Sequence, residues 1–189
     1  MVVEEVVLNW LIGEDTINEE ERELYAYAIS VLWSTISLLI LVLVVGLLMG
    51  TVKEGLLFLL PFLIMRKFSG GFHTRRMWTC IISSTIVLSA CMGCIKFLHT
   101  GIVMNVVLVI AICNLIIWSP VDSENRRLNP EEKHFCKVVV SVMAVIFGLL
   151  YLMLVLSNHD QAAVCIAAGI ILTAMLQLPH IVESFFETE

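Results

Sequence analysis

Charge is what this chain of 189 residues lacks: 15% of positions are Asp, Glu, Lys or Arg, 59% are apolar, and the net charge is −6. Mean hydropathy is +0.96. A soluble domain carries about 25% charged residues. The shortage is also uneven. Of the 28 charges, 24 fall in the stretches 1–25, 66–76, 122–137 and 183–189. The other 130 residues hold only Lys53, Glu54, Lys96 and Asp160. A soluble fold of this size has no way to bury so much uncharged apolar chain. Soluble enzymes, nucleic-acid binders and disordered proteins are therefore excluded, and a polytopic membrane protein is expected. A secretory leader is missing too: the first 25 residues hold eight acids and one base, Arg22, where a leader has a basic start. A cysteine framework is missing: Cys80, Cys91, Cys94, Cys113, Cys136 and Cys165 all lie in or beside apolar runs and read as reduced thiols. No phosphate-binding loop, dinucleotide fingerprint or metal-ligand spacing occurs, so no cofactor and no metal is expected.

What is present is apolar length. A spanning helix needs about 20 mostly apolar residues. The runs 26–49, 78–97, 101–118, 136–157 and 161–178 qualify. The run 55–65 has 11 residues and contains Pro61, so it is either a short span or a re-entrant arm. The fold class is all-α, with five to six transmembrane or re-entrant helices. The chain reads as one membrane domain over 1–189, with membrane helices over 26–178 and an acidic tail over 179–189. Orientation follows from Lys and Arg. Arg66, Lys67, Arg75 and Arg76 mark one loop; Arg126, Arg127, Lys133 and Lys137 mark another. Two spans separate these loops, so both are placed on the cytoplasmic side, with the C-terminus. The N-terminus is cytoplasmic if 55–65 spans and outside if it re-enters.

Residues 2–12 put Val3, Val6, Val7, Trp10 and Leu11 at helical spacing, with Glu4, Glu5 and Asn9 elsewhere. That suits a helix lying in the membrane interface or one packed on the protein itself. Gly13 ends it, and Thr16-Ile17-Asn18-Glu19 reads as a capping box opening the first long helix.

The segment from Arg66 to Cys80 carries the chemistry. His73 and Cys80 flank its exit into a span. A thiol attacks a carbonyl as thiolate, and a nearby imidazole takes its proton. The positive end of a helix favours that thiolate. Seven residues of straight helix rise about 10.5 Å, too far for a hydrogen bond of about 3 Å. A His73–Cys80 pair therefore needs non-helical backbone between them, which Gly70-Gly71 permits. Irregular backbone at membrane depth must face protein or water, so the pairing implies a water-accessible pocket. The plainer alternatives are an interfacial histidine and a cysteine serving as apolar filler.

The pattern Arg66-x-x-x-Gly70-Gly71-x-His73-x-x-x-x-x-x-Cys80 resembles the accessory gene regulator B family of Gram-positive bacteria. A second piece, Trp118-Ser119-Pro120-Val121-Asp122-x-x-Asn125-Arg126-Arg127-Leu128, is similar to the family's Pro-Val-acid-x-x-Asn-basic-x-Leu loop. The resemblance implies a membrane cysteine endopeptidase that processes a quorum-sensing peptide precursor at the cytoplasmic face. His73 would be the base and Cys80 the nucleophile. The precursor, held as a thioester, would close into a thiolactone or lactone. It further implies a precursor with an amphipathic N-terminal helix and an acidic C-terminal region, a homodimer and no nucleic-acid partner.

Other residues keep two readings. Arg66, Arg75 and Arg76 either bind an acidic group of the precursor or anchor the loop inside. Asp122 or Asn125 either orients the imidazole or forms a turn. Cys91-x-x-Cys94 lies in an apolar span without companion ligands and reads as filler, and Glu131-Glu132-Lys133-His134 lacks the two-histidine spacing of a metalloprotease. A non-enzymatic peptide exporter is the competing function. Few mid-span charges and no inverted repeat weigh against an ion-coupled transporter.

Overall fold

The computed structural model describes residues 22–69, 77–95, 97–120 and 129–178, with backbone alone at 23, 24, 27, 30 and 77–84. These residues form six helices and no strand: α1 Arg22–Met49, α2 Val52–Ser69, α3 Met77–Ile95, α4 Ile102–Trp118, α5 Pro130–Leu156 and α6 Asp160–Met175. The chain divides into two units, 1–41 and 42–189. The first contains the start of α1, which exposes Leu32, Trp33 and Ile40.

Local chemistry sets the helix ends. At the end of α1, Gly50 takes φ of +66°. The Thr51 N–H donates to the Gly46 carbonyl at 2.8 Å and the Gly50 N–H to the Leu47 carbonyl at 3.4 Å. This paired pattern satisfies carbonyls that have no partner inside the helix. At the start of α5, Pro130 follows Asn129, whose N–H donates to Glu132 Oε2 at 3.1 Å. The cluster Glu131-Glu132-Lys133-His134 thus forms the first turn of a helix, its acids facing the positive end of the dipole.

α2 is longer than its apolar run. The sequence suggests 55–65; the helix covers 18 residues without interruption. It begins with Glu54 in its first turn and ends with Arg66 and Lys67 in its last. Charges of those signs complement the dipole ends, and Lys, Glu and Arg are good helix formers, so the helix outruns its hydrophobic stripe. At 1.5 Å per residue it is about 27 Å long. The other helices depart from their apolar runs by a few residues. α5 begins six residues before the run at 136, and α6 stops at Met175 before a turn.

α6 is the central helix. Ten of its 16 residues are buried, among them Ala163, Ala167, Gly169, Ile170 and Ala174. It packs against α2, α3, α4 and α5. Small side chains let neighbouring backbones come close, which is how helices associate where lipid supplies no hydrophobic drive. Gly169 shows how tight this is: a Cβ there would lie 2.5 Å from the Phe58 carbonyl oxygen and 2.7 Å from Pro61 Cγ. The core joins Met65 of α2, Leu108 and Leu115 of α4, Val140 and Phe147 of α5, and Val164 and Ile170 of α6.

The outer faces are apolar. Ile102, Val103, Val109 and Ile110 of α4 are exposed, as are Leu149, Leu152, Met153 and Leu156 of α5. A soluble monomer rarely exposes apolar patches beyond a few hundred Å². By length and composition, two helical stretches among the described residues qualify as membrane-crossing, Val31–Met49 and Pro130–Leu156. Ile102–Trp118 and Asp160–Met175 are also apolar but shorter.

Candidate functional site

The chain order and contacts gather the same ends of the helices. The C-termini of α2, α4 and α6 meet at one buried side chain, Gln177, just past the end of α6. Its Nε2 donates to the Ser69 carbonyl at 3.0 Å and to Ser119 Oγ at 2.8 Å. All three residues are buried, with Ser69 and Gln177 at 0% exposure. An amide NH₂ has two hydrogens, and this one uses both. Among the described residues no donor reaches Gln177 Oε1.

Each partner has structural meaning. Ser69 is the last residue of α2, so its carbonyl is one of the four that the helix leaves without an internal partner. Ser119 is the cap of α4, its own N–H donating to the Leu115 carbonyl at 3.1 Å. One side chain therefore ties the exits of two helices that lie 50 positions apart in sequence. Ser69 is followed by Gly70, Gly71 and His73; Ser119 is followed by Pro120, Asp122 and Asn125. The described ends of the two motif segments, Ser69 and Ser119, thus meet at one hydrogen-bonded point.

Arg66 lies in the last turn of α2, with its Cζ 5.6 Å from the centroid of the Phe62 ring. This cation–π contact holds the guanidinium at the exit end. Phe62 stacks in turn on Phe58, with centroids 6.2 Å apart. Three helix C-termini point their negative ends here, and the bases Arg66 and Lys67 offset that field.

Several of the proposed site residues lie outside the described residues. They are Gly70, Gly71, His73, Arg75, Arg76, Asp122 and Asn125, together with the expected helix at 2–12, the capping box at 16–19 and the tail at 179–189. Cys80 is carried by the first turn of α3, three residues after Met77, as backbone. The structure therefore assigns its helix position and no contact of its thiol.

Away from this end, Cys91 is half-buried and Cys94 exposed, both as free thiols. No group of three metal-ligating side chains occurs among the described residues. The opposite end holds a shallow cleft lined by Lys53, Glu54, His159 and Asp160. Nearby, the Thr100 hydroxyl donates to Asp160 Oδ1 at 2.6 Å, and Tyr151 donates to Asn105 Oδ1 at 2.5 Å. Ser69 lies sixteen positions after Lys53 on α2, about 24 Å of helix, so this cleft is remote from the end that holds Ser69.

Sequence reasoning passed over Gln177. The signal available was an amide at the end of the otherwise apolar run 161–178. Polar groups at such positions are functional or structural pins by default. What the sequence does not contain is the identity of its partners, 108 and 58 residues away.

The pattern that defines the accessory gene regulator B family matches residues 4–178. AgrB-like protein 2 of Clostridium perfringens strain 13 is 30% identical over 130 residues, covering 64% of this chain and 60% of that protein. An AgrB-like protein of Clostridium perfringens strain SM101 is 29% identical over 140 residues, covering 67% and 65%. The chain thus spans 60% to 65% of the length of these relatives. No solved structure gives a significant match.

Proposed function

Because the chain belongs to the accessory gene regulator B family, we propose that it is a multi-pass cysteine endopeptidase of a Gram-positive cell membrane, acting on a short quorum-sensing peptide precursor at the cytoplasmic face. The observation that carries the reading is the spacing of Arg66, Gly70-Gly71, His73 and Cys80 within the matched span. The hydrogen-bonded exit shared by the two motifs at Ser69 and Ser119 supports it. The exposed apolar faces of α4 and α5 support residence in a bilayer.

The mechanism follows from the residue types. His73 takes the proton of the Cys80 thiol. The thiolate attacks a peptide carbonyl of the precursor, the C–N bond breaks, and the proton passes to the leaving amine. The N-terminal part of the precursor stays on Cys80 as a thioester. A thiol or hydroxyl within it then attacks the same carbonyl, the bond to Cys80 breaks, and a thiolactone or lactone ring is released. Exchange of one thioester for another is nearly isoenergetic, so the acyl-enzyme conserves the activation needed for ring closure, provided water is kept away. Asp122 or Asn125 orients the imidazole. Arg66, Arg75 and Arg76 receive the acidic region of the precursor. A precursor bearing an amphipathic helix meets the enzyme on the same leaflet, which raises its effective concentration.

The test is co-expression with a precursor of that design. Cys80→Ala and His73→Ala should each abolish cleavage while leaving the amount of inserted protein unchanged. Intact mass should show a precursor-sized adduct on Cys80 that hydroxylamine removes. Cleavage persisting in both variants, or an adduct mapped to another cysteine, refutes the reading.

A further inference from the structure

Gln177 has no role in the mechanism above, yet it is the side chain through which the two motif segments are joined. Its amide makes both donor bonds in a site without water access, one to the α2 exit and one to the α4 cap. Filling that space would not require an amide. A methionine has the same length and leaves no acceptor stranded, whereas Gln177 Oε1 lacks a donor among the described residues. A buried polar group left unpaired is destabilising by about 1–3 kcal/mol. An amide that spends both of its hydrogens on two helix exits fixes their spacing.

The geometry it specifies concerns His73. His73 lies only four positions after Ser69. A trans chain extends at most about 3.6 Å per residue, so the position of Ser69 confines the His73 Cα to within about 14 Å. Ser119 is likewise three residues before Asp122. Ser69 and Ser119 are thus the described points nearest to His73 and Asp122 in the chain. Misplacement of a catalytic group by about 1 Å can cost about 100-fold in rate.

We infer that Gln177 is a positioning residue: by clamping Ser69 and Ser119 to each other, it holds the two motif segments in the register that presents His73 to Cys80. The inference rests on the reading of Cys80 as a His73-activated nucleophile, and its test separates the two. The probe is iodoacetamide, which reacts with the thiolate. The readout is the alkylation rate at Cys80, mapped by peptide mass in the full chain reconstituted in lipid nanodiscs. An unassisted thiol is only a few per cent thiolate at pH 7, so loss of an imidazole partner should slow alkylation about tenfold. His73→Ala is therefore expected to be about tenfold slower than the unmodified protein. Gln177→Met should be slowed toward the same value, and Ser119→Ala, which removes one of the two bonds, should fall between. In the His73→Ala background, Gln177→Met should change the rate less than about twofold, because two residues acting through one step do not add.

A purely structural loosening predicts the opposite. Opening the helix end exposes Cys80, so Gln177→Met would raise alkylation with or without His73. That result, or an unchanged rate in both Gln177→Met and Ser119→Ala, overturns the inference. Should Gln177→Met fail to insert, Ser119→Ala alone decides. An unchanged rate in His73→Ala instead refutes the nucleophile reading itself.

Discussion

The contact between α6 and α2 at Gly169 gives the sharpest physical prediction. In Gly169→Ala the new Cβ would start 2.5 Å from the Phe58 carbonyl oxygen and 2.7 Å from Pro61 Cγ. Even a weak C–H···O contact requires about 3.3 Å between carbon and oxygen, and carbon–carbon contact about 3.5–4.0 Å. Neither neighbour can swing aside: one is backbone, and the other is a proline ring within the same helix. The helices must therefore separate by about 1 Å at this level. A gap of about 0.5–1 Å forfeits a quarter to a half of each dispersion contact across it. Overpacking of this kind costs about 1–3 kcal/mol. In water, the better helix propensity of alanine would return nearly 1 kcal/mol. In a bilayer that offset vanishes, because separated helices stay helical to satisfy their backbone. A net loss of about 2 kcal/mol corresponds to about a 30-fold rise in the open population.

The reporter is built in. Cys165 is fully buried on α6, one turn before Gly169, so a maleimide should reach its thiol only when α6 parts from its neighbours. Labelling at Cys165 should speed up about 30-fold in Gly169→Ala. Two other glycines calibrate the scale. A Cβ at Gly148 would lie 3.1 Å from the flexible Ile112 Cδ1, and one at Gly93 would lie 3.8 Å from Met49 Cε. The first should have a small effect and the second none. Equal labelling in Gly169→Ala and Gly93→Ala would refute the close approach of α6 to α2 and, with it, the placing of α6 at the centre of the bundle.

Other outcomes can be set beside it. Tyr151→Phe removes the donor to Asn105 Oδ1, and should lower stability by about 0.6 kcal/mol, the average for such bonds between membrane helices, measured by denaturing-detergent titration. Arg66→Gln should raise KM for the acidic precursor about tenfold with kcat little changed, the pattern for lost ground-state binding, since a hydrogen bond to a charged group contributes about 1.5–3 kcal/mol. Arg66→Lys keeps the charge but lacks the planar fork, and should recover the KM only in part.

The sequence and the structure divide the explanation unevenly. Apolar runs at 26–49, 101–118 and 136–157 anticipate α1, α4 and α5, because a helix with no charge to expose declares itself by length alone. The run at 55–65 was ambiguous for a physical reason. Eleven apolar residues around a proline fit a re-entrant arm as well as a span, and a local pattern has no means to report that charged flanks extend the helix. The unbroken α2, Val52–Ser69, shows that they do. The acids and bases at 131–134 likewise suggested a motif to be weighed, and the structure makes them the opening turn of α5.

The sequence by itself marked this protein as one of a membrane and holds the spacing on which its proposed chemistry rests. Four charges in 130 residues leave that apolar surface to lipid, and the spacing of Arg66, Gly70-Gly71, His73 and Cys80 belongs to the chain regardless of how it packs. Tertiary structure alone decided which helix lies at the centre and what holds the two motifs together. Both depend on partners far apart in sequence: Gly169 against Phe58, and Gln177 against Ser69 and Ser119. Periodicity reports a helix's faces and ends. Only packing decides which neighbour each face meets, and that is why a glycine and a glutamine near the end of the chain carried no visible meaning until α6 was placed among the other helices.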